Sequence, residues 1–343
     1  MKRFTLEEIA KIAGVSRATV SRVVNGYPHI RPEIRERVQT VITQTGFRPN
    51  ALARSLVSNR SNIIGLIIPS VVQKVFTDPY FAYLIHGIAQ ACNANGLILS
   101  LYLFHSLEEE HNVIQTLVGT GLVDGMIVTA DRHHQDMVET LLANQIPLVL
   151  IGEPEDRSKI SYVDTDNIAG GYMATKHLID VGYRRIGIIA AQVNKSSDLR
   201  LEGYRRALND YGIKVDKRLI AYGNFSQDSG YEAVREILPY RPEAIFATND
   251  AMAIGCMRAF KEVNISVPDD IGIIGYDDFP PAQQAAPALT TIRQPVQQSG
   301  IEAVELLLEL LNNDVKVPIH RLLDNTLIVR ASTRNGVRVE SNE

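Results

Sequence analysis

Residues 5 to 26 have the sequence TLEEIAKIAG (Thr5–Gly14), VSRATVSR (Val15–Arg22) and VVNG (Val23–Gly26). Thr5 and Glu8 have the T-x-x-E spacing of a capping box, which predicts that a helix begins at Leu6. Gly14 permits a sharp turn after this helix, and Ser16 has a side chain suited to cap a second one. The stretch therefore predicts two short helices around a tight turn, which is a helix-turn-helix.

The second predicted helix ends at Val24, before Asn25-Gly26. Its valines face the first helix, which leaves an outer face that carries Arg17, Ala18, Ser21 and Arg22. A short second helix with an outward basic face is typical of a protein that reads DNA in the major groove. The alternative is a surface hairpin that only covers a core.

The charge distribution favours DNA reading over that alternative. Residues 1–60 contain eleven Lys or Arg and four Asp or Glu, a net charge of +7, whereas the whole chain has a formal net charge of −4. The rest of the chain therefore carries −11. A basic head on an acidic body is the electrostatic signature of a protein that binds a polyanion.

With 343 residues, 45% of them hydrophobic, the chain is long enough for two or three domains with cores of their own. Its longest apolar runs, such as residues 63–68, are far too short to span a membrane, and residues 1–20 lack the apolar core of a signal peptide. Cys92 and Cys256 lie in helical patterns in separate parts of the chain, which predicts core residues and not a disulfide or a metal pair. We expect a cytoplasmic protein that uses neither a cofactor nor a metal.

A third helix is predicted over residues 31–46, with Pro32 in its first turn and Gly46 at its end. This helix completes a small headpiece core. Asn50 is suited to cap a further segment, residues 51–56, which favours helix but is too short to be stable alone in water. We expect this hinge segment to become ordered only when something holds it.

From Ile63 onward the pattern changes to strands that alternate with amphipathic helices. Apolar runs that predict strands occupy residues 63–69, 97–104, 125–129, 147–152, 185–190, 244–248 and 271–275. Alternating β and α units predict an α/β fold with parallel sheets, and the number of strands predicts two doubly wound lobes. Ligands bind outside the carboxyl ends of such strands, so two facing lobes predict a cleft that can hinge shut.

Five short motifs follow in order in this part of the chain: DTDN (Asp164–Asn167), RLEGY (Arg200–Tyr204), TND (Thr248–Asp250), GYDD (Gly275–Asp278) and LTTIRQP (Leu289–Pro295). With the helix-turn-helix and the hinge before them, they resemble the lac repressor family of bacterial transcription regulators over essentially the whole chain. The resemblance implies an all-α headpiece joined to a two-lobed body like a periplasmic binding protein. It also implies that the chain crosses between the lobes near residues 163, 293 and 322.

The domain organisation follows from the same resemblance. The headpiece covers residues 1–48, the hinge helix and linker 49–62, the body 63–335, and a tail 336–343. Within the body, the N-lobe comprises about 63–163 and 293–321, and the C-lobe about 164–292 and 322–335. Tetramers of the family need a C-terminal heptad helix, and residues 335–343 contain no apolar repeat, so we expect a homodimer.

In the headpiece, Arg17, Ala18 and Arg22 match the family's base-reading positions. An arginine can donate a pair of hydrogen bonds to guanine, whereas Ala18 offers only its methyl group. The side chains expected to contact phosphate are Thr5, Ser16, Thr19, Ser21, Asn25 and His29. For Thr5 and Ser16 the alternative is helix capping alone.

The hinge carries Leu56, which matches the family's minor-groove wedge; the alternative is that Leu56 packs on the body. An apolar wedge costs roughly a few kcal/mol of unstacking, which is recovered through a bend that brings more protein onto the DNA. Ala53 is small enough for two hinge helices to lie side by side. Asn50, at the start of the same segment, is also expected to lie at the DNA.

In the cleft, Arg200, Asn249 and Asp277 match effector-contacting positions, and Phe225 matches an aromatic position that stacks on a sugar or a base. The three polar side chains suit a polyol, because arginine donates to hydroxyl oxygens, aspartate accepts from hydroxyl groups and asparagine does both. Two further candidates for effector binding are Ser70 and Asp166.

Alternatives remain for some of these positions. Helix capping is an equal alternative for Asp166, as is an internal salt bridge for Asp278 of the GYDD motif. Many relatives place an acid directly after the strand that ends near Ile151, whereas this chain has Gly152 there and Glu153 next. The hydroxyl pattern of the effector therefore stays open.

These features predict a sequence-specific DNA-binding transcriptional regulator, a repressor whose operator affinity is controlled by a sugar, with a purine or nucleoside-type corepressor as the alternative. Whether the effector releases or promotes DNA binding stays open. A solute-binding protein that does not bind DNA is the alternative class, which the basic headpiece disfavours. An enzyme is disfavoured because the chain lacks a dinucleotide fingerprint, a P-loop, a nucleophile elbow and a metal-spaced cluster.

Overall fold

The computed structural model describes residues 4–24, 26–47, 60–69, 72–129, 135–192, 194–312 and 318–334. The chain divides into two compact units, residues 1–62 and residues 63–343, and each is described by itself. Five residues named above lie outside the described residues: Asn25, Asn50, Ala53, Leu56 and Ser70. The predicted hinge segment over residues 51–56 also lies outside them.

The described residues of the first unit form a headpiece of three helices. Its helices are α1 (Leu6–Ala13), α2 (Arg17–Val24) and α3 (Pro32–Thr45). Thr5 Oγ1 accepts a hydrogen bond from the Glu8 backbone N–H, and the Glu8 carboxylate accepts one from the Thr5 N–H, which confirms the predicted capping box. Gly14 ends α1 with a φ of 64°, a left-handed conformation that favours glycine.

The headpiece has a core of its own. Ile9, Val20 and Val38, one from each helix, are fully buried at its centre. Since a core of this size buries little apolar surface, we expect the headpiece to be only modestly stable.

The second unit contains two six-stranded sheets. The strands of the first sheet are β1 (Ile63–Ile67), β2 (Ile98–Tyr102), β3 (Gly125–Thr129), β4 (Leu148–Ile151), β5 (Ser161–Thr165) and β11 (His320–Leu323). The strands of the second sheet are β6 (Ile186–Ala191), β7 (Ile220–Gly223), β8 (Ala244–Ala247), β9 (Gly272–Asp277), β10 (Thr290–Arg293) and β12 (Thr326–Ile328). The sheet orders are β11-β5-β4-β3-β1-β2 and β12-β10-β9-β8-β6-β7.

Helices cover both faces of each sheet, with one hydrophobic cluster on each face. The helices of the first sheet, which together form the N-lobe, are α4 (Val72–Thr77), α5 (Pro79–Ala94), α6 (Leu107–Thr120), α7 (Gln135–Ala143) and α13 (Val296–Leu311). The helices of the C-lobe are α8 (Asn167–Asp180), α9 (Lys195–Asp210), α10 (Gln227–Ile237), α11 (Asp250–Glu262) and α12 (Pro280–Gln284), with short 3₁₀ helices at Lys217–Leu219 and Leu238–Tyr240. The predicted α/β class with two doubly wound lobes is confirmed.

The strands pair in parallel, apart from the antiparallel pair of β10 with β12. The chain passes from one sheet to the other after β5, after β10 and after β11. These passages follow Thr165, Arg293 and Leu323. Residues distant in sequence therefore meet at the boundary between the lobes.

The seven predicted strands correspond to β1–β4, β6, β8 and β9, whereas the five further strands, β5, β7, β10, β11 and β12, were not predicted. Three of these, β7, β11 and β12, lie at sheet edges, where one side of the strand is not covered by a neighbour. In β5 and β10 hydroxyl side chains take the place of some aliphatic ones, and both Ser161 and Thr290 are buried. Hydroxyls that find hydrogen-bond partners can be buried in this way without an apolar pattern.

Cys92 in α5 and Cys256 in α11 are buried free cysteines in different lobes, as predicted. None of the helices in the described part of the chain has the length and apolar character that a membrane crossing requires.

Candidate functional site

A cleft lies between the two lobes of the second unit and encloses about 930 Å³, including the part open to solvent. The residues that line the cleft are Pro69, Asp78, Tyr80, Phe81, Thr129, Ile151, Gly152, Glu153, Asp164, Asn194, Lys195, Ser196, Arg200, Phe225, Asn249, Asp277 and Gln294. Most of them follow the carboxyl ends of strands in both sheets, where the sequence predicted a ligand to bind.

Four of the predicted effector-binding residues lie together in this cleft: Arg200, Phe225, Asn249 and Asp277. Asp166 does not line it. Its carboxylate accepts a hydrogen bond of 2.8 Å from the Ala169 N–H and caps α8, which is the alternative that the sequence left open.

Arg200 is held rigidly on the floor of the cleft. Its Nε donates to Asn167 Oδ1 at 2.9 Å and its Nη1 to the Thr248 carbonyl oxygen at 2.6 Å. The guanidinium carbon lies 3.7 Å from the ring centre of Tyr276, which is fully buried. A guanidinium carries five N–H groups, so donors remain for a ligand after these contacts are made.

Close packing at Gly171 positions α9, the helix that carries Arg200. A Cβ atom on Gly171 of α8 would lie 2.2 Å from the Arg200 carbonyl oxygen, so only glycine lets α8 and α9 pack at this distance. The sequence pattern GG at 170–171 therefore contributes to the site through backbone packing.

Asp164, at the end of β5, is a cleft residue that was not among the sequence-based candidates. Its carboxylate accepts hydrogen bonds from the Thr165 N–H at 2.7 Å, the Glu153 N–H at 3.0 Å and the Asn167 side-chain amide at 3.1 Å. Burial raises the pKa of Asp164 to about 6, against the effect of these hydrogen bonds and of the Arg200 charge. A signal for this residue is present in the sequence, because Asp164 opens the DTDN motif.

Asp277, at the end of β9, has a φ of 123°, a left-handed value that strains a residue other than glycine. Gln294 Nε2 donates to its carboxylate at 2.5 Å. Burial, and then the nearby carboxylate of Asp250, raise the pKa of Asp277 well above its usual range. Folding has already removed most of the water around this buried acid. A ligand that forms a hydrogen bond with it therefore meets little further desolvation cost.

Asp250 organises the loop that carries Asp277. Its carboxylate accepts hydrogen bonds from the backbone N–H groups of Asp278 at 2.7 Å and Phe279 at 3.2 Å, and from the Thr291 hydroxyl at 2.6 Å. Burial raises the pKa of Asp250 to about 7. Asp250 thus has a structural function directly behind the cleft.

Asp278 forms an internal salt bridge, the alternative that the sequence left open for it. Its carboxylate lies 2.7 Å from an Arg293 nitrogen and 2.5 Å from an Arg330 nitrogen, and its side chain is almost fully buried. The two arginines tie the end of β9 to β10 and to the segment after β12.

Asn249 and Phe225 support each other. The Asn249 amide nitrogen donates to the Phe225 carbonyl oxygen at 3.0 Å, and its amide oxygen accepts from the Met252 N–H at 2.9 Å and caps α11. This contact holds Phe225 at a φ of 70°. Asn249 therefore uses one donor and one acceptor for the fold, and one amide hydrogen remains for a ligand.

Residues at the mouth of the cleft and along part of its wall were also not predicted from the sequence. The cleft residues that were not predicted as binding candidates include Asp78, Tyr80, Glu153, Asn194, Lys195 and Gln294. Gln294 lies in the LTTIRQP motif and was therefore detectable, whereas Asp78 and Tyr80 follow α4 without a motif. Within the described residues, no group of three or more His, Cys, Asp or Glu side chains is placed to hold a metal ion.

In the headpiece, the outer face of α2 presents Arg17, Ala18 and Arg22 to solvent. Arg17 Nε lies 2.9 Å from a Glu7 carboxylate oxygen, with both side chains more than half exposed, so the pair is weak and can yield to another partner. The Arg22 guanidinium lies 5.9 Å from the ring centre of Tyr27.

The residues predicted to contact phosphate lie at the surface to different degrees. Thr5, Ser16 and His29 are exposed, whereas Thr19 and Ser21 are half-buried. Ser16 Oγ accepts a hydrogen bond of 3.1 Å from the Thr19 N–H, so Ser16 caps α2 as Thr5 caps α1. The Ser16 and Thr19 hydroxyl oxygens also lie 2.8 Å apart, so one of these two hydroxyls donates to the other and the hydrogen of the second remains for a phosphate.

Comparison with known proteins gives a consistent result over the whole length. A model of bacterial regulatory proteins of the lacI family matches residues 5–50, and a model of a periplasmic binding protein-like domain matches residues 175–333. The HTH-type transcriptional regulator CelR of Thermobifida fusca is 36% identical over 336 residues, which are 96% of this chain and 98% of that protein. The HTH-type transcriptional repressor PurR of Pasteurella multocida (strain Pm70) is 35% identical over 339 residues, 96% of this chain and 99% of that protein.

Solved structures show the same likeness. A complex of the transcriptional regulator CelR with cellobiose has a TM-score of 0.76 and 34% identity, over 96% of this chain and 100% of that one. The lac repressor dimer bound to operator and the anti-inducer ONPF has a TM-score of 0.84 and 27% identity, over 97% of this chain and 99% of that one.

Proposed function

The chain belongs to the lacI family of bacterial regulatory proteins and is an effector-controlled DNA-binding repressor, and we propose that its effector is a neutral sugar bound in the cleft between the lobes. The observation that carries this proposal is the polar lining of the cleft. Arg200 and Asn249 offer donors, Asp164 and Asp277 offer acceptors, and Phe225 offers an aromatic face. A ring with several hydroxyl groups uses all of these at once.

The charge of the lining supports a neutral ligand over an anionic one. Four acidic side chains, Asp78, Glu153, Asp164 and Asp277, line the cleft, against the two basic side chains of Lys195 and Arg200, and the acids outnumber the bases even without Asp277, whose raised pKa favours its neutral form. A phosphate or a carboxylate would meet an excess of negative charge in a partly buried site, which disfavours its binding. The likeness to a regulator that was solved with cellobiose points to the same class of ligand.

In the headpiece, we assign base reading to Arg17 and Arg22, with Ala18 allowing close approach, and phosphate contact to the hydroxyl and histidine side chains beside them. A headpiece of this size covers too little DNA for tight binding alone, so we propose a homodimer on a near-palindromic site. A protein that regulates transcription in this way works by binding and not by catalysis, in the cytoplasm where bacterial DNA lies.

A purine corepressor is the second candidate, because PurR relatives are nearly as similar as CelR and a phenylalanine face would also stack on a purine base. The two candidates differ in what they need from the cleft. A purine offers few hydroxyl groups, so fewer hydrogen-bond donors would face the acidic side chains of the cleft.

Thermal melting of the full chain against cellobiose, ribose, glucose, adenine and guanine distinguishes the candidates. A ligand at about 100 times its Kd stabilises the protein by about 2.7 kcal/mol. We expect a sugar to raise the melting temperature and to change the affinity for an operator selected from random DNA, in a direction that the same titration determines. Stabilisation by a purine and by none of the sugars would replace the sugar proposal with the corepressor.

A further inference from the structure

The mouth of the cleft carries ion pairs that join the two lobes. Lys195 begins α9 in the C-lobe, and its Nζ lies 3.9 Å from Glu153 Oε1 and 3.3 Å from Glu155 Oε2, both in the N-lobe segment after β4. Other pairs, such as Lys176 with Asp180, lie within one lobe. Contacts of Lys195 therefore depend on how the lobes are placed relative to each other.

The two partners Glu153 and Lys195 both line the cleft. The Glu153 side chain is 9% exposed, and its second oxygen, Oε2, accepts a short hydrogen bond from Arg157 of the same lobe. The hydrogen bond from Arg157 therefore holds the Glu153 carboxylate in place through Oε2 and leaves Oε1 to another partner. Oε1 is the oxygen that faces Lys195.

The distance between these two atoms suits a bridging oxygen. At 3.9 Å the Lys195 ammonium and Glu153 Oε1 attract each other but are too far apart for a direct hydrogen bond, which needs about 2.7–3.2 Å. An oxygen atom about 2.8 Å from both would accept from the ammonium and donate to the carboxylate. A hydroxyl group is the simplest ligand group that does both.

We propose that Glu153 and Lys195 form a hydroxyl-binding subsite at the mouth of the cleft, with one residue from each lobe, so that one effector hydroxyl bridges the lobes. This inference rests on the proposed function, since it takes the effector to be a sugar. A carboxylate at this place would have no proton to donate to Glu153, and an ammonium would face Lys195. The subsite therefore selects a neutral hydroxyl and couples its recognition to the lobe arrangement.

Calorimetric titration of the full-length protein tests the subsite, with whichever of cellobiose, ribose and glucose binds the wild type. We expect Lys195→Met and Glu153→Gln each to raise the Kd about 10-fold or more, because each removes a hydrogen bond that involves a charged group. The double variant should bind about as weakly as either single variant, since one lost partner already breaks the bridge. Lys176→Met, which removes a lysine from a pair within the C-lobe, is the matched control and should leave the Kd unchanged.

Monodeoxy analogues of the same sugar identify the hydroxyl. One analogue should bind the wild type as weakly as the parent sugar binds the double variant, and its Kd should not change further in Lys195→Met. If thermal melting shows that Glu153→Gln does not fold, the analogue series with Lys195→Met still decides whether one hydroxyl contacts the subsite.

The results that would contradict the sugar effector differ from those that would contradict the subsite alone. If none of the three sugars binds the wild type, the proposed sugar effector is wrong and the subsite with it. If a sugar binds but the effects of the two substitutions multiply, or neither changes the Kd, the effector class stands and the subsite is wrong.

Discussion

The ring of Phe279 in the C-lobe lies 5.1 Å from the ring of Tyr83 in the N-lobe, with 31° between the ring planes. Phe279 is 6% exposed and packs into the hydrophobic cluster of the N-lobe that includes Leu84 and Val296. It follows Asp277 and Asp278, whose φ values of 123° and 65° leave little freedom for rearrangement. A contact between the lobes is therefore joined by a stiff, strained segment to an acid that lines the cleft.

We predict that Phe279→Ala weakens both the fold and the response to effector. Removing a buried phenylalanine costs about 3–5 kcal/mol in the free energy of unfolding, and here the lost contact also holds the lobes together. Urea unfolding and effector calorimetry measure the two effects. The control is Phe104→Ala, which removes a phenylalanine that is 7% exposed and packs within the N-lobe alone. Equal effector affinity in the two variants would contradict the proposed link.

We predict that Arg200→Ala and Asp277→Ala each raise the Kd for the effector about 10- to 100-fold, because a buried hydrogen bond to a charged group is lost. Operator affinity without effector should stay within about threefold, since the headpiece is a separate unit. The control is Arg206→Ala on the same helix, where the arginine is more than half exposed and pairs with Glu202. Calorimetry and fluorescence anisotropy with labelled DNA give the two affinities. Unchanged effector affinity in either cleft variant would show that the residue does not contact the ligand.

We predict a pH dependence of stability from Asp164. Its pKa is about 6 in the folded protein, above the value of about 3.9 for an unfolded aspartate, so the folded state holds the proton more tightly. Its contribution is therefore full below about pH 4 and is lost as the pH rises through about 6. The free energy of unfolding of the wild type, minus that of Asp164→Asn, should fall by about 1–3 kcal/mol over this window. Urea unfolding at several pH values measures this difference, and a constant difference would contradict the assignment.

We predict that Arg22→Ala relaxes base preference at one symmetric pair of operator positions, at a cost of about 1–3 kcal/mol in discrimination. Selection of binding sites from random DNA, followed by sequencing, measures the preference position by position. Arg37→Ala, on an exposed position of α3, is the control and should leave the selected sequence unchanged. A selected sequence identical to that of the wild type would reject Arg22 as a base reader.

The headpiece could be predicted almost to the residue, because its signals are local. A capping box, a glycine turn and one apolar stripe act over a few residues, and α1, α2 and α3 begin and end where these signals lie. The sheets were harder to predict, since the strands at their edges are short. β11 and β12 are recognisable as strands through the partners they find in distant parts of the chain.

The cleft could be predicted in part. Arg200 and Asp277 lie in motifs, whereas Asp166, the aspartate of DTDN that was predicted to bind the effector, is not the one that the structure places in the cleft lining. Asp164 ends a strand and lines the cleft, whereas Asp166 follows it and caps a helix. Nothing local distinguishes these two positions, because the difference arises from where β5 stops. Lys195 could not be found by sequence reasoning at all, since its partners lie in the other lobe.

The strands β11 and β12 follow one another near residues 320–328 and close an edge of each sheet. During synthesis on the ribosome, β5 and β10 therefore each keep one unpaired strand edge until the chain has been synthesised to residue 328. Open strand edges invite pairing with other nascent chains, so both lobes are prone to aggregate until that moment. A premature stop codon after residue 312 and before residue 320 would remove both strands and leave both lobes incomplete together, although it would spare every residue that lines the cleft.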